Sequence, residues 1–249
     1  MNPKICITIP ITAQLDKNLL SIKKVLNEKP QFVELRFDFI DKVEELTREF
    51  INNLKKAFDS NISIIFTLRD YSEGGNISIN KDDRISILNY LIDAKPDYFD
   101  IELRSDLELL NQVINKAIKN QVRMIFSYHD SEKTPSYIET IHLIETLKER
   151  LVDHFSINLD NLKEIIYKFI FTAQTVEDNL IPLKVCKKFK ERNQKVISFC
   201  MGEMGILSRV ICVLTGSFLT YACLEEQTAS GQIDIYVLKE VLKLLDFKY

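Results

Sequence analysis

The sequence predicts a (β/α)8 barrel, the TIM-barrel architecture, as a single domain over residues 1–249. Eight short apolar runs alternate with amphipathic segments, which is typical of a parallel sheet with right-handed crossovers. The 249 residues are 46% hydrophobic, enough to bury one large α/β core. A doubly wound open sheet is the alternative, but no G-x-G-x-x-G or G-x-x-x-x-G-K motif follows the first apolar run.

The first four strands are predicted from runs rich in β-branched and aromatic residues. They cover residues 4–10 (KICITIP), 32–39 (FVELRFDF), 62–69 (ISIIFTLR) and 98–104 (YFDIELR). The segments LLSIKKVLNE, VEELTREFINNLKKAF and DDRISILNYLID lie between them, and their apolar residues recur every three or four positions, as in amphipathic helices. Glu34, Arg36 and Asp38 alternate with apolar residues in the second run, so we expect their side chains to point into the barrel.

The last four strands are predicted from similar runs, separated by segments such as SYIETIHLIETLKERL. They cover residues 122–129 (VRMIFSYH), 165–173 (IIYKFIFTA), 195–202 (KVISFCMG) and 217–224 (SFLTYACL). Lys168 stands in the middle of the 165–173 run. A charged lysine in an apolar strand costs free energy unless it is paired with an anion, reaches solvent or is neutral, so this residue requires an explanation. A lysine that reaches water from a strand end would be the ordinary explanation.

Polar side chains recur where the predicted strands end, and that end of a (β/α)8 barrel carries the active site. The third to sixth strands contribute Arg69, Asp70, Asp100, Glu102, Ser127, Tyr128, His129, Asp130 and Lys168. The last two strands lead into MGEMGILSR and EEQTASGQI. Branched apolar side chains normally fill a barrel interior, so this ionic layer predicts a binding site for a small polar substrate.

Lys168 and His129 are the candidate catalytic pair. We expect Lys168 to face arginines or a histidinium, which would lower the pKa of its amine and make it a nucleophile towards a carbonyl carbon. His129 comes from the neighbouring strand and can carry a proton. His142 lies in a helical segment and His154 in a stretch predicted to be irregular, so both are better interpreted as ordinary histidines. The arginines Arg36, Arg69 and Arg209 indicate an anionic substrate such as a carboxylate.

Charge and cysteine content exclude several other classes of protein. The net charge is −3 and the charges are dispersed, which argues against nucleic acid or an anionic membrane as partner. The longest uncharged stretch, residues 210–224, is too short to cross a bilayer. The five cysteines show no close pairing and predict reduced, mostly buried thiols in a cytoplasmic protein, with neither disulfides nor a zinc site.

Seven motifs in order resemble the type I 3-dehydroquinate dehydratase family, the Schiff-base enzymes of the shikimate pathway of aromatic amino acid biosynthesis. They are ELRFD (34–38), TLRDYSEGG (67–75), DIEL (100–103), SYHD (127–130), Lys168, MGEMGILSR (201–209) and TASGQI (228–233). Each motif alone is loose, but the resemblance extends over nearly the whole chain. It implies a (β/α)8 lyase that converts 3-dehydroquinate to 3-dehydroshikimate without metal or organic cofactor, and a homodimer.

The resemblance also implies a role for each site residue. Lys168 would form an imine with the C3 carbonyl, and His129 would act as general acid and base. Glu73 would orient or polarise His129. Substrate binding would fall to a larger set: Glu34, Arg36, Arg69, Arg209 for the carboxylate, and Thr228 and Gln232 in a loop that closes over the substrate.

The sequence departs from the family pattern in two places. The closing loop usually reads Ser-Ala-Pro-Gly-Gln, whereas residues 228–232 here read Thr-Ala-Ser-Gly-Gln, and loss of the proline leaves the loop less preorganised. The segment between His129 and Lys168 is about a dozen residues longer than the family spacing, an excess that we place on the barrel face away from the site. Lys163 and Lys184 are therefore alternative nucleophiles. A class I aldolase-type lyase and a catalytically inactive binding protein remain alternative functions.

Overall fold

Eight consecutive strands form a curled parallel sheet in the computed structural model, which describes residues 3–58 and 61–245. The strands are β1 (Ile5–Pro10), β2 (Phe32–Arg36), β3 (Ser63–Thr67), β4 (Tyr98–Glu102), β5 (Arg123–His129), β6 (Ile165–Thr172), β7 (Val196–Met201) and β8 (Thr220–Cys223). A ninth, two-residue strand, β9 (Ile233–Asp234), pairs with β8. The other residues of the predicted 1–249 domain, 1–2, 59–60 and 246–249, lie outside this description.

Helices cover the outside of this sheet. They are α1 (Leu15–Asn27), α2 (Arg48–Lys56), α3 (Lys81–Asp93), α4 (Leu107–Asn120), α5 (Tyr137–Asp160), α6 (Leu180–Glu191), α7 (Ile206–Thr215) and α8 (Ile235–Leu244). Several begin at a side chain that accepts a hydrogen bond from the first turn, as N-cap residues do. These caps are Thr47, Asn80, Asp106, Ser136 and Asp234. None of the helices in residues 3–58 and 61–245 is long and apolar enough to cross a membrane.

The strand order confirms the predicted (β/α)8 barrel class. Strands β7 to β1 are neighbours in reverse chain order, and β8 pairs with β1 on the other side. At the remaining junction, the N–H of Phe218 donates to the carbonyl of Val196 over 2.6 Å. The two ends of the curled sheet therefore meet beside β7 and β8.

The second, third and eighth strands are three or four residues shorter than predicted, and in the second and eighth polar side chains redirect the backbone. The second ends at Arg36, and Phe37–Phe39 forms a 3-10 turn. The turn lets the carboxylate of Asp38 bind Arg36. The eighth begins at Thr220 instead of residue 217, because the hydroxyl of Ser217 donates to the carbonyl of Leu219 over 2.8 Å.

Most of the segment between His129 and Lys168 forms one long helix. Helix α5 is 24 residues long and kinks at Phe155, where φ is −133° and ψ is 18°. The prediction that His154 lies in an irregular stretch is therefore wrong, since His154 is an exposed residue of α5. Because α5 ends shortly before β6 begins, its C-terminal end lies at the barrel face opposite the strand carboxyl ends, the face where the excess residues are predicted to lie.

Side chains alternate between the helices and the barrel interior. Val33 and Leu35 are completely buried in the apolar core, whereas Glu34 and Arg36 belong to the interior polar layer. The same alternation on β6 places Phe169 against Phe189 of α6 and directs Lys168 inwards. This interior layer forms the floor of a cavity at the carboxyl ends of the strands.

Candidate active site

A cavity of about 360 Å³ opens at the carboxyl end of the barrel. It gathers every residue that the sequence assigned to the site: Glu34, Arg36, Arg69, Glu73, His129, Lys168, Arg209, Thr228 and Gln232. The two alternative nucleophiles, Lys163 and Lys184, are exposed and do not line this cavity. Lys168 is therefore the lysine whose amine a ligand in the cavity would meet.

Lys168 lies between two carboxylates. Its side chain is 6% exposed, and its Nζ donates to Oδ2 of Asp100 over 2.9 Å and lies 3.6 Å from Oε1 of Glu34. Thr67 donates to the same Glu34 oxygen over 2.8 Å and so holds it in place. The expectation of a mainly cationic neighbourhood is wrong at contact distance, because the nearest charged partners of the amine are anions. Pairing explains how a lysine is tolerated in an apolar strand.

Arg69 organises the floor of the cavity. Its guanidinium donates to Asp100 over 2.8 Å, to Glu102 over 2.6 Å and to Ser127 over 2.7 Å. Ser127 in turn donates to Asp100 over 2.6 Å, so Asp100 is held by three donors, one from the loop after β3, one from β5 and one from β6. These donors, with Arg69 the largest favourable influence, lower the pKa of Asp100 to about 2 despite its burial. Asp100 therefore stays ionised and fixes the amine of Lys168.

Arg36 lies on the wall below the loop that follows β8. It makes a two-point contact with Asp38, over 2.9 Å from Nε and 2.8 Å from Nη2. Its Nη1 donates to the carbonyl of Thr228 over 3.3 Å. The Asp38 carboxylate also accepts from the backbone N–H of Arg69 over 3.2 Å, which joins the ends of β2 and β3. Arg36 is therefore oriented towards both the cavity and the closing loop.

His129 and Glu73 form a pair across the mouth of the barrel. Oε2 of Glu73 lies 3.2 Å from Nδ1 of His129 and accepts the backbone N–H of His129 over 2.8 Å. Burial, and then the charges of Arg69 and Lys168, hold the pKa of His129 well below its usual range. Burial, and then the charge of Glu102, raise the pKa of Glu73 to about 8. Both shifts favour the uncharged forms, so His129 is a neutral imidazole that can accept a proton.

The loop after β3 delivers Glu73 to this position. Asp70 accepts the N–H of Ser72 over 2.9 Å and so begins the 3-10 turn that ends at Glu73. The chain then doubles back so closely that a Cβ on Gly75 would lie 2.2 Å from the carbonyl oxygen of Arg69. Gly75 is therefore required by this close approach, and Gly74, with φ of +85°, suits the left-handed turn that follows Glu73.

Arg209 is a buried guanidinium that lacks an acidic partner. It is 1% exposed, and no carboxylate among residues 3–58 and 61–245 lies within 4.0 Å of it. Its Nη2 donates to the carbonyl of Ser230 over 3.2 Å, while its Nε has no hydrogen-bond partner in the same residues. Burial lowers the pKa of Arg209 to about 10. An anion that enters the cavity would supply the missing partner.

The loop after β8 is docked over the cavity. Oε1 of Gln232 accepts the backbone N–H of Thr228 over 2.7 Å, and Nε2 of Gln232 donates to Thr8 over 2.7 Å. Gly231 has φ of +70°, and a Cβ there would lie 2.2 Å from the carbonyl oxygen of Gly202. The loop residues 228–232 therefore rest directly on the loop after β7, held by Arg36 and Arg209 from below.

Three residues of the site were missed or left without a role by the sequence analysis. Asp100 was predicted to point inwards, but its pairing with Lys168 depends on strand register, which the sequence does not give. Thr8 and Tyr221 also line the cavity. They stand in apolar runs of β1 and β8, and only their alternation with core residues could have marked them.

The arrangement combines an amine nucleophile, a neutral imidazole and an unpaired guanidinium in one cavity. Such a set can bind an anion that carries a carbonyl group, form a covalent bond to that group and move a proton beside it. Among residues 3–58 and 61–245, no three His, Cys, Asp or Glu side chains are grouped so that they could hold a metal ion.

Comparison with known proteins gives a consistent result. The sequence matches the family described as type I 3-dehydroquinase over residues 5–248. It is 32% identical to the 3-dehydroquinate dehydratase of Methanococcus maripaludis strain C6 over 241 residues, covering 96% of this chain and 100% of the relative. It is 31% identical to the protein of the same name from Methanocaldococcus jannaschii over 245 residues, covering 98% of this chain and 100% of the relative.

Solved structures agree with the sequence comparison. The crystal structure of type I 3-dehydroquinate dehydratase from Clostridium difficile superposes with a TM-score of 0.82 at 27% identity, covering 98% of this chain and 92% of that one. The crystal structure of 3-dehydroquinate dehydratase from Geobacillus kaustophilus superposes with a TM-score of 0.84 at 24% identity, covering 99% of this chain and 92% of that one. At this identity the similarity supports the fold only. On the strength of the family match along almost its entire length, the chain belongs to the type I 3-dehydroquinases.

Proposed function

We propose that this enzyme dehydrates 3-dehydroquinate to 3-dehydroshikimate through a Schiff base on Lys168, with His129 as general acid and base. Family membership supports the substrate. The mechanism rests on one observation, the amine of Lys168 held in the same cavity as a neutral imidazole and an unpaired guanidinium.

In the first step the nitrogen of Lys168, after losing a proton, attacks the C3 carbonyl carbon of the substrate. A C–N bond forms, and the carbonyl oxygen takes up two protons, the one that Lys168 lost to His129 and one from the attacking nitrogen, and leaves as water, which gives a positively charged iminium. Asp100 and Glu34, at 2.9 and 3.6 Å from the amine, hold the nitrogen in place. They also offset the positive charge that remains on the nitrogen.

In the second step His129 removes a proton from C2. The C–H electrons pass into the iminium, which acts as an electron sink, and the resulting enamine expels the C1 hydroxyl as water with a proton returned by His129. Hydrolysis of the new iminium frees the product and restores Lys168. Glu73 orients the imidazole through its 3.2 Å contact with Nδ1, so that the other ring nitrogen is available for this transfer.

The remaining site residues bind the substrate. Arg209 takes the carboxylate, because a carboxylate satisfies a guanidinium that has no acidic partner among residues 3–58 and 61–245. Thr228 and Gln232 belong to the loop that covers the substrate. The other polar residues of the cavity wall contact substrate hydroxyls or order the pocket: Glu34, Arg36 and Arg69.

Turnover of 3-dehydroquinate, followed by the absorbance of the conjugated enoate product, tests this proposal. We expect turnover by the wild-type protein and none by Lys168→Met, which keeps a side chain of similar length without the amine. Phosphorylated sugars serve as the comparison, because a class I aldolase would cleave them. Binding of 3-dehydroquinate without turnover would contradict the proposal.

We also propose that the enzyme is a homodimer. An apolar surface patch supports this assembly. Its residues are each 42–54% exposed and lie just before or at the start of α6 (Val176, Leu180) and α7 (Met204, Ile206, Leu207). Asn179 joins the two groups by donating to the carbonyl of Met204 over 2.6 Å. Exposed apolar patches of this kind mark interaction surfaces. Sedimentation equilibrium should give twice the mass of the chain, and a monomeric mass at micromolar concentration would contradict the proposal.

For the compartment we infer the cytoplasm. All five cysteines are buried and unpaired, which suits a reducing environment. Fractionation of cells that express the protein should recover it with cytoplasmic markers, and recovery from a secreted fraction would contradict this inference.

A further inference from the structure

We propose that the ring face of Tyr221 stabilises the positive charge on the nitrogen of Lys168, most of all when that nitrogen has become an iminium. This inference rests on the Schiff-base function proposed above. Tyr221 lies in β8, is 3% exposed and lines the cavity. Nζ of Lys168 lies over its ring, 4.7 Å from the centroid. A cation this close to an aromatic face is attracted by the negative face of the ring, and more strongly where water is excluded.

The contact between Lys168 and the ring of Tyr221 becomes more important when the covalent bond to the substrate forms. The free ammonium has three N–H donors, and here it faces Asp100 at 2.9 Å and Glu34 at 3.6 Å. Formation of the iminium joins the nitrogen to substrate carbon, expels the carbonyl oxygen as water and leaves one N–H on a nitrogen that is still positive. One carboxylate contact therefore loses its donor. Attraction to the ring face needs no N–H, so it persists in the covalent state.

The ring is held in this position independently of substrate. Phe199 packs edge-on against Tyr221, with ring centroids 6.0 Å apart and an interplanar angle of 60°. Phe199 is covered in turn by the guanidinium of Arg209, 4.5 Å from its centroid. Because strand pairing places Tyr221 opposite Cys6 of β1, the backbone is also fixed. The aromatic face is therefore in place before any charge develops on the substrate.

The phenol group does not account for the position of Tyr221. Its oxygen is buried and has no hydrogen-bond partner in residues 3–58 and 61–245. Burial, and then the charge of Glu34, raise the pKa of Tyr221 well above its usual range, so the hydroxyl is not a proton carrier at neutral pH. Tyr221→Phe consequently removes no protein hydrogen bond, which makes it the starting point of a substitution series in which only the ring electrons change.

The test introduces mono-, di- and trifluorinated phenylalanine at position 221 by codon suppression. Fluorine weakens the negative ring face while nearly preserving its shape, so each variant is expected to fold, and circular dichroism checks this. Relative to Tyr221→Phe, the fraction of enzyme trapped by borohydride at subsaturating 3-dehydroquinate and kcat/KM should both fall stepwise, by up to about thirtyfold in total. The same fluorination of Phe169, which packs against Phe189 outside the barrel, is the control and should give no stepwise fall.

The outcomes separate this inference from the proposed function. A wild-type enzyme that is trapped, together with a flat fluorination series, overturns the role of Tyr221 alone. An equal fall in the Phe169 series also overturns it, since the effect would then be general. If the wild-type enzyme turns over without any trapped adduct, the Schiff base itself fails, and this inference fails with it.

Discussion

Replacing Arg209 by methionine should weaken substrate binding while leaving the fold at least as stable. Methionine fills much of the same space and removes only the charge. In the structure that charge is 1% exposed, with no carboxylate of residues 3–58 and 61–245 within 4.0 Å. The guanidinium contacts the carbonyl of Ser230 at 3.2 Å and the ring of Phe199 at 4.5 Å, neither of which neutralises it.

The two effects of Arg209→Met have opposite signs, and both can be estimated. Burial lowers the pKa of Arg209 to about 10, so the folded state disfavours the charged form by roughly 3 kcal/mol. Removing the charge removes this cost and loses part of the packing on Phe199, so we expect a rise in Tm of a few degrees. Loss of a charge-assisted bond to the substrate carboxylate, roughly 1.5–3 kcal/mol, should lower kcat/KM about 10- to 150-fold.

Thermal unfolding and steady-state kinetics of the same preparation measure both effects. Product added at saturation should raise the Tm of the wild type more than that of Arg209→Met, because only the former has the carboxylate contact. Arg209→Lys keeps a charge without the two-point geometry and should be intermediate in kcat/KM. A lower Tm combined with unchanged kcat/KM would refute the reasoning, since Arg209 would then be a structural residue.

Three further changes test the rest of the site. His129→Ala should remain folded by circular dichroism but lose roughly 10²–10⁴-fold in kcat, and near-normal turnover would exclude it as the acid and base. Glu73 has a pKa raised from 4.5 to about 8, so its stabilising contribution is complete below pH 4.5 and is lost as pH rises to about 8. The Tm of the wild type should therefore fall relative to Glu73→Gln across that range, and parallel Tm curves would contradict the raised pKa. Thr228→Ser keeps the hydroxyl near Gln232 and should change KM by less than about threefold, whereas a larger change would assign a role to the methyl group.

The alternation of polar and apolar residues along single strands correctly predicted which side chains face the barrel interior. The period of two on β2 correctly placed Glu34 and Arg36 inside and Val33 and Leu35 outside. The position of His129 at a strand end was enough to bring it to the cavity that Lys168 lines. Such predictions succeed because in a parallel barrel the strand period alone decides which residues share an interior, and all carboxyl ends meet at one face.

The sequence did not predict which side chains of neighbouring strands contact one another. The expectation that Lys168 faces cations was wrong because the register of β4 against its neighbours, not composition, brings Asp100 to 2.9 Å of the amine. Tyr221 was overlooked because a tyrosine in an apolar run is usually a core residue. The 3-10 turn at Phe37–Phe39 arises from the side chain of Asp38, a local competition that apolar periodicity does not reveal.

The covalent role of Lys168 is tested most directly by reducing the imine chemically while the enzyme is turning over. Borohydride added with 3-dehydroquinate should inactivate the enzyme and add the mass of one reduced ligand to the peptide that carries YKFIFTAQ. Lys168→Arg should abolish labelling, because arginine keeps the charge but cannot form an imine. Labelling on Lys163 or Lys184, or full turnover with no labelling at all, would contradict a Schiff base on Lys168.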